Sequence, residues 1–436
     1  MSLRRLLRSL YADLRPDTDR GQLVRSTGAT AMLKVGATVI AFGASLVYAR
    51  ALAPHGYGLY AYVAAWVGLV SIPASLGLPL YLVREGAKMP ASIRRLCRWA
   101  DVRILAAGTA AAVLLGCALF LPQAAGARWL FVIAAPIPLL NNLGHIRRSL
   151  LQDMGWVARG QWPYFILGPG LMLAALAGLW LYQGRLYPIE LVAALTGAAL
   201  FPLLINQFQF RKVTREEKIT VDAPLPPVRV RSALPFMWLG VLYLVNSRAD
   251  LIMLGSMRGA HAAGVYAVAS RAGELVIFLL MATNMVISPH IARFYHQGDH
   301  ERLQRLITAA VRRIFVLSLP LALLFFIAAG PLLTYLYGPG YSGGAVALQI
   351  LTGAQLVNVL TGPTDIMLNM TDHERLATYG AGLGAIVNII LDGILIPFYG
   401  IEGAAFATAC SLVAWNILLW YWVRKRLNVR PTVFGF

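Results

Sequence analysis

The sequence predicts an all-α polytopic membrane protein with about twelve transmembrane helices, built as two sets of six. Three observations carry that prediction. Of the 436 residues, 58% are hydrophobic and only 13% charged, with a mean hydropathy of +0.65, a composition foreign to soluble domains of this length. The apolar residues fall into stretches of about 20, enough to cross the hydrocarbon layer as a helix. The connectors between those stretches alternate, every second one being basic.

Taken in order, spans are expected near residues 27–50, 57–83, 100–122, 127–146, 161–183, 187–210, 233–256, 262–289, 311–330, 343–370, 376–397 and 401–423. Ahead of them, residues 1–26 set Leu3, Leu6, Leu7, Leu10 and Leu14 opposite Arg4, Arg5 and Arg8 at helical spacing. That is the pattern of a short basic helix lying on a membrane surface. The stretch has no apolar core before a small-residue cleavage site, so a cleavable signal peptide is not expected. Basic clusters recur around Arg84 to Arg103, Arg147 to Arg159, Arg211 to Arg231, Arg293 to Arg313, Arg375, and Arg424 to Arg430. With the N-terminal arginines they hold 31 of the 38 Lys and Arg residues, whereas the intervening connectors hold only Arg50, Arg128, Arg185 and Arg258. Basic loops stay cytoplasmic, so both termini are expected inside a bacterial inner membrane, with six short loops outside. The net charge of +19 sits in these flanking loops, where anionic lipid headgroups rather than nucleic acid are the expected partner.

An internal repeat sets the domain plan. Leu46-Val47 through His55, Gly58 and Tyr60-Ala61 fall opposite Ile252-Met253 through His261, Gly264 and Tyr266-Ala267 at a constant offset of 206 residues. Such a duplication predicts two halves related by an axis along the membrane normal. The expected units are the basic amphipathic segment 1–26, an N-lobe 27–210, an interlobe linker 211–232, a C-lobe 233–424 and a cytoplasmic tail 425–436. Pro224-Leu225-Pro226-Pro227 makes the linker extended rather than helical.

No loop is long enough for a catalytic domain, and none carries a phosphate-cradling glycine loop, a zinc-ligand pair or a nucleophile elbow. An enzyme is therefore not expected. Cys97, Cys117 and Cys410 have no metal-type or redox-type spacing. Function must lie in the polar residues inside the spans, each costing about 2.5–3.5 kcal/mol on insertion scales. Counting 1.5 Å per residue from the outer helix ends, Asp250, Asn388, Asp392 and Thr408 fall at similar depth. They could bind Na⁺ through hard oxygen ligands or accept protons; the alternative is that each satisfies a polar neighbour. Arg271 falls near the midplane, where it could grip a pyrophosphate or pair with Glu274 at i,i+3. Arg248 and Asp250 point in different directions. Lys34 could contact substrate or snorkel to the inner surface. Asn141-Asn142 and Asn206-Gln207 are expected to bond between helices.

Several motifs resemble the opening hairpin of polysaccharide-unit flippases of the O-antigen type. They are Tyr48-Ala49-Arg50-Ala51-Leu52, Gly56-Tyr57-Gly58-Leu59-Tyr60, Ser75-Leu76-Gly77-Leu78 and Val83-Arg84-Glu85. The second half repeats the resemblance in Asp250 to Gly255, Ala263-Gly264-Val265-Tyr266, Ser288-Pro289 and Leu336-Tyr337-Gly338-Pro339. Its last part runs from Asn388 to Asp392 and on through Pro397 to Thr408. The chain is thus similar to the multidrug/oligosaccharidyl-lipid/polysaccharide exporters, which implies two six-helix lobes around a central cavity of alternating access. The resemblance implies a flippase for surface polysaccharide biosynthesis, carrying an undecaprenyl-pyrophosphate-linked oligosaccharide to the outer leaflet; by their place inside the spans, Lys34, Arg248, Arg271 and Glu274 are the candidate substrate residues. It implies membrane lipids, a polysaccharide polymerase and chain-length machinery as partners, and no cofactor beyond a coupling Na⁺ or H⁺. Asp250, Asn388, Asp392 and Thr408 match the sodium site of lipid II flippases in residue type and spacing. Those flippases also carry arginines in their first two helices that have no counterpart here beyond Lys34 and Arg50. A multidrug antiporter of the same superfamily is the competing expectation, against which the acid-free first span argues.

Overall fold

The computed structural model describes residues 19–85, 92–117, 126–216 and 230–433, and the elements among them are helical. Nine of the helices are apolar and long enough to cross a membrane. Three of those nine are each two antiparallel spans turned on one residue: Ala53 (φ 54°, ψ 172°), Gly259 (φ 85°, ψ 177°) and Gly400 (φ 57°, ψ −121°). The described residues therefore form twelve spans, as expected. They are α1 (19–52), α2 (54–74), α3 (Ile93–Gly116), α4 (Arg128–Asp153), α5 (Val157–Gln183) and α6 (Pro188–Glu216), then α7 (234–258), α8 (260–296), α9 (His300–Tyr337), α10 (Ala345–Thr361), α11 (374–399) and α12 (401–427).

Ala53 and Gly259 stand 206 residues apart, so the sequence offset marks equivalent turns. Glycine takes such a conformation freely, whereas alanine carries strain of about 1–3 kcal/mol. Pro54 contributes to it by forcing the residue before it to an extended ψ.

Helix ends depart from the expected spans where helix and membrane end at different places. The ninth span, expected over 311–330, begins at His300. Asp299 caps it by accepting from the Arg302 amide at 3.0 Å, and exposed Glu301–Arg305 and Asp299–Arg302 pairs extend it beyond the apolar stretch. The second span, expected over 57–83, stops at Ala74, where Leu76 and Gly77 (φ 52° and 69°) turn the chain into a short helix, Leu78–Glu85. The tenth, expected over 343–370, breaks at Gly362 (φ 71°) and Pro363 before the short helix Thr364–Asn369. Of the expected N-terminal surface helix, residues 1–18 lie outside the described residues, as does the Pro224–Pro227 stretch of the linker.

Packing follows the rules of a lipid solvent. Large apolar side chains such as Leu181, Ile327 and Phe398 face outward, more than three-quarters exposed, an arrangement that water would oppose and lipid favours. Polar side chains join neighbouring spans instead. Asn142 donates to the Ser71 carbonyl (2.8 Å), Asn206 to Gly160 (3.1 Å), Asn246 to Ala381 (2.8 Å) and Ser318 to Val276 (3.0 Å). Each such bond is worth roughly 0.6 kcal/mol. Arg147 of α4 forms a mostly buried ion pair with Asp101 of α3 and donates to Gln207 of α6 at 2.5 Å, tying three spans at their basic-loop ends.

Candidate functional site

Between the two sets of six spans lies a cavity of about 400 Å³. Its walls are α1 and α2 (Ser45, Tyr48, Tyr57, Tyr60), α4 and α5 (Asn141, Tyr164), and α7 and α8 (Arg248, Arg271). Tyr164 sits in a π-helical turn, Pro163–Leu167, that interrupts α5, and donates to Asn141 Oδ1 at 2.5 Å; such turns recur at functional sites. Tyr48 and Tyr57 both contact the ring of Tyr60, with centroids at 6.4 and 5.9 Å. Both arginines lie within electrostatic reach of Tyr57 and Tyr60. Among the described residues, no acidic side chain lines this cavity.

A second hollow of about 490 Å³ adjoins it, sharing Tyr60, Ala64, Ile137, Asn141 and Leu195, and extends toward the basic-loop side along α2, α4 and α7. At the opposite end the hairpin tips close the space. A Cβ on Gly58 would overlap the Ala260 carbonyl, and one on Gly264 the Pro54 carbonyl, so the two tips meet backbone to backbone. Tyr62 and Ser256 share a hydrogen bond at 3.0 Å beside them, and Tyr341 donates to the Ala49 carbonyl at 2.8 Å.

The structure brings Arg248 and Arg271 to one cavity. It also pairs Arg271 with Glu274 (Nη1 to Oε2, 3.1 Å), with both side chains one-third to two-fifths exposed, so pairing and cavity exposure coexist. Glu274 itself lines a different cavity, inside the second lobe. Lys34 lies on α1, and its side chain falls outside the described residues. Tyr48, Tyr57 and Tyr60 entered the sequence reading only as parts of motifs and Tyr164 not at all, none as a cavity residue; the available signal was Tyr60, the repeat counterpart of Tyr266.

Asp250, Asn388, Asp392 and Thr408 do converge between α7, α11 and α12, the first three buried and Thr408 partly so. Asp250 Oδ2 accepts from Thr408 Oγ1 at 3.1 Å and from the Tyr266 hydroxyl, while its Oδ1 accepts from the Leu251 amide at 2.6 Å. Asn388 Nδ2 lies 3.5 Å from Thr408 Oγ1. Asp392 is wholly buried, lies within electrostatic reach of Asp250, and has no hydrogen-bond partner on either carboxylate oxygen; Asn388 Oδ1 has none either. An uncompensated carboxylate costs about 2.5–3.5 kcal/mol in a span, as much as about four to six of the interhelical bonds above return. The donor set is all oxygen, suited to a hard cation such as Na⁺ or to a proton. Tyr266, fully buried against Asp250, is a further member that the sequence reading missed.

Comparisons with known proteins follow the same division. Residues 23–152 match a family described as polysaccharide biosynthesis proteins, and residues 235–394 match the MatE family. The probable flippase AglR of Haloferax volcanii is 28% identical over 200 residues, covering 45% of this chain and 42% of AglR. The probable low-salt glycan biosynthesis flippase Agl15 of the same organism is 22% identical over 184 residues, 42% of this chain and 38% of Agl15. The chain thus matches less than half the length of either relative. Among solved structures, an inward-facing MATE-family multidrug resistance transporter superposes with a TM-score of 0.65 at 16% identity, covering 91% of this chain and 94% of the other. The lipid II flippase MurJ in an inward closed conformation gives 0.66 at 15% identity, covering 92% and 87%. These two share the fold. The relatives named for an activity are flippases and transporters, not enzymes, and together the matches bear out the resemblance read from the motifs.

Proposed function

We propose that this chain, a two-lobe exporter of the multidrug/oligosaccharidyl-lipid/polysaccharide type, is a non-enzymatic flippase. It moves a polyprenyl-pyrophosphate-linked oligosaccharide from the cytoplasmic to the outer leaflet of the inner membrane during surface polysaccharide assembly. The observation that carries the reading is the sign of the central cavity, where Arg248 and Arg271 stand among tyrosines and no acid lines the wall among the described residues. Two guanidinium forks suit a pyrophosphate, tyrosine hydroxyls and ring faces suit a sugar, and the polyprenyl tail remains in lipid. A cationic drug would find no counter-charge there. The basic connectors face the cytoplasm, and a polysaccharide polymerase and chain-length machinery act on the delivered unit.

The Asp250, Asn388, Asp392 and Thr408 group binds the Na⁺ or H⁺ whose gradient resets the cavity. Reconstitution tests the central claim. Protein in liposomes containing a lipid-linked oligosaccharide should bring the sugar within reach of an enclosed lectin or glycosidase, and Arg248→Ala/Arg271→Ala protein should not. Equal rates in the two preparations would overturn the proposal.

A further inference from the structure

The second lobe encloses a cavity of its own, about 430 Å³, walled by α7, α8, α10 and α12 and sharing no lining residue with the central one. Asp250 and Thr408 line one end of it. From there it follows α12 to Leu419 and α10 to Gly362, a run of eleven residues on each helix or about 16 Å, toward the face of the basic connectors. At that far end stands Asp365, in the first turn of the short helix Thr364–Asn369.

The chemistry of this chamber is one-sided. Among the described residues, Asp250, Glu274 and Asp365 line it, and no Lys, Arg or His does. Glu274 is matched by Arg271. Asp365 receives only neutral donors, the Tyr243 hydroxyl at 3.0 Å and Asn369 Nδ2 at 3.1 Å, both on Oδ1. Between the two ends the wall carries amides and hydroxyls, among them Asn246, Gln355, Asn358 and Ser411. Asn284 Oδ1, also in this wall, is buried and accepts no bond, and past Thr408 lie the fully buried, unpartnered oxygens of Asn388 and Asp392. A negative, oxygen-lined conduit lowers the cost of holding a cation away from water and repels anions.

We propose that this chamber is a cation passage linking the Asp250–Asp392 pair to the basic, cytoplasmic face, with Asp365 as a second cation-binding station at its mouth. The cation then exchanges with the cytoplasm inside one lobe, without crossing the space that holds the lipid-linked sugar. The proposal rests on the reading of Asp250 and Asp392 as the coupling site.

Full-length protein in liposomes, with the radioactive ²²Na⁺ ion as probe, tests it in two ways. In a background of C97A, C117A and C410A, Asn358→Cys should react with an impermeant thiol reagent from the cytoplasmic side only, and Na⁺ should slow that reaction compared with choline. Asp365→Asn should retain equilibrium ²²Na⁺ binding at the Asp250–Asp392 site but exchange that ion about tenfold more slowly from the cytoplasmic side, whereas Asp392→Asn should lose binding at that site. Exchange at the unaltered rate in Asp365→Asn, or an unreactive Asn358→Cys, overturns the passage while leaving the coupling site standing. Absence of ²²Na⁺ binding in the unaltered protein overturns the sodium site and the passage together.

Discussion

Gly58 and Gly264 are counterparts in the internal repeat and neighbours in space: each lies against the backbone of the other's hairpin, Gly58 on Ala260 and Gly264 on Pro54. This reciprocal contact seals one end of the central cavity. Because both contacts are with carbonyl groups rather than flexible side chains, neither position can accept a methyl group without separating the tips.

Gly58→Ala and Gly264→Ala should therefore each destabilise the closed tip by about 1–3 kcal/mol, the usual cost of overpacking. A cysteine placed at Ala41 in the cavity should then become reactive to an impermeant thiol reagent applied from the hairpin side. Unchanged protection in both variants would show that the tips do not form the seal.

Arg271→Ala should abolish translocation while the protein stays in the membrane. Arg271→Lys should restore only part, because a point charge cannot make the bidentate contact of a guanidinium. Pairing with Glu274 makes a second arm necessary: recovery in Arg271→Ala/Glu274→Gln would reduce the arginine to a structural partner of that carboxylate.

Sodium should raise the thermal stability of the unaltered protein in detergent, since a ligand of the native state stabilises it by mass action. Asp392→Asn should show no sodium-dependent shift, and in choline it should be the more stable of the two because it removes an uncompensated buried charge. If protons are the coupling ion, the same variant should transport independently of the pH gradient. Normal coupling in Asp250→Asn and Asp392→Asn would make both acids structural.

Orientation can be read with single cysteines at exposed positions. His55→Cys and Gly343→Cys should label from outside intact cells, and Gln297→Cys only after the membrane is opened. Outside labelling at Gln297 would invert the proposed topology.

Span number and fold class were legible in the sequence because lipid imposes a length and a polarity on each helix, and charged connectors mark the sides. The repeat was legible too, and Ala53 and Gly259 give it a geometric meaning. Helix ends were not, since hydropathy stops at the membrane whereas hydrogen bonding continues to a cap such as Asp299. The convergence of Asp250, Asn388, Asp392 and Thr408 was anticipated from their common depth and from the resemblance to lipid II flippases. The tyrosines escaped notice because, in an aromatic-rich apolar sequence, a cavity wall and a lipid face look alike. At the repeat offset Asp250 corresponds to Ala44 and Tyr266 to Tyr60. Where the acid is present the tyrosine turns to it, and where alanine replaces it the tyrosine faces the cavity, a distinction visible only in three dimensions.

The one-residue turns at Ala53, Gly259 and Gly400 leave almost no polypeptide standing at these three hairpin tips. Under the proposed topology this face is external, so antibodies, phage and proteases would find few footholds at these tips, and an epitope tag inserted into any of the three turns would have to pry a hairpin apart. The short 3₁₀ segment Pro339–Gly344, which exposes Ser342 and Gly343, is the better place for a tag or a selected binder.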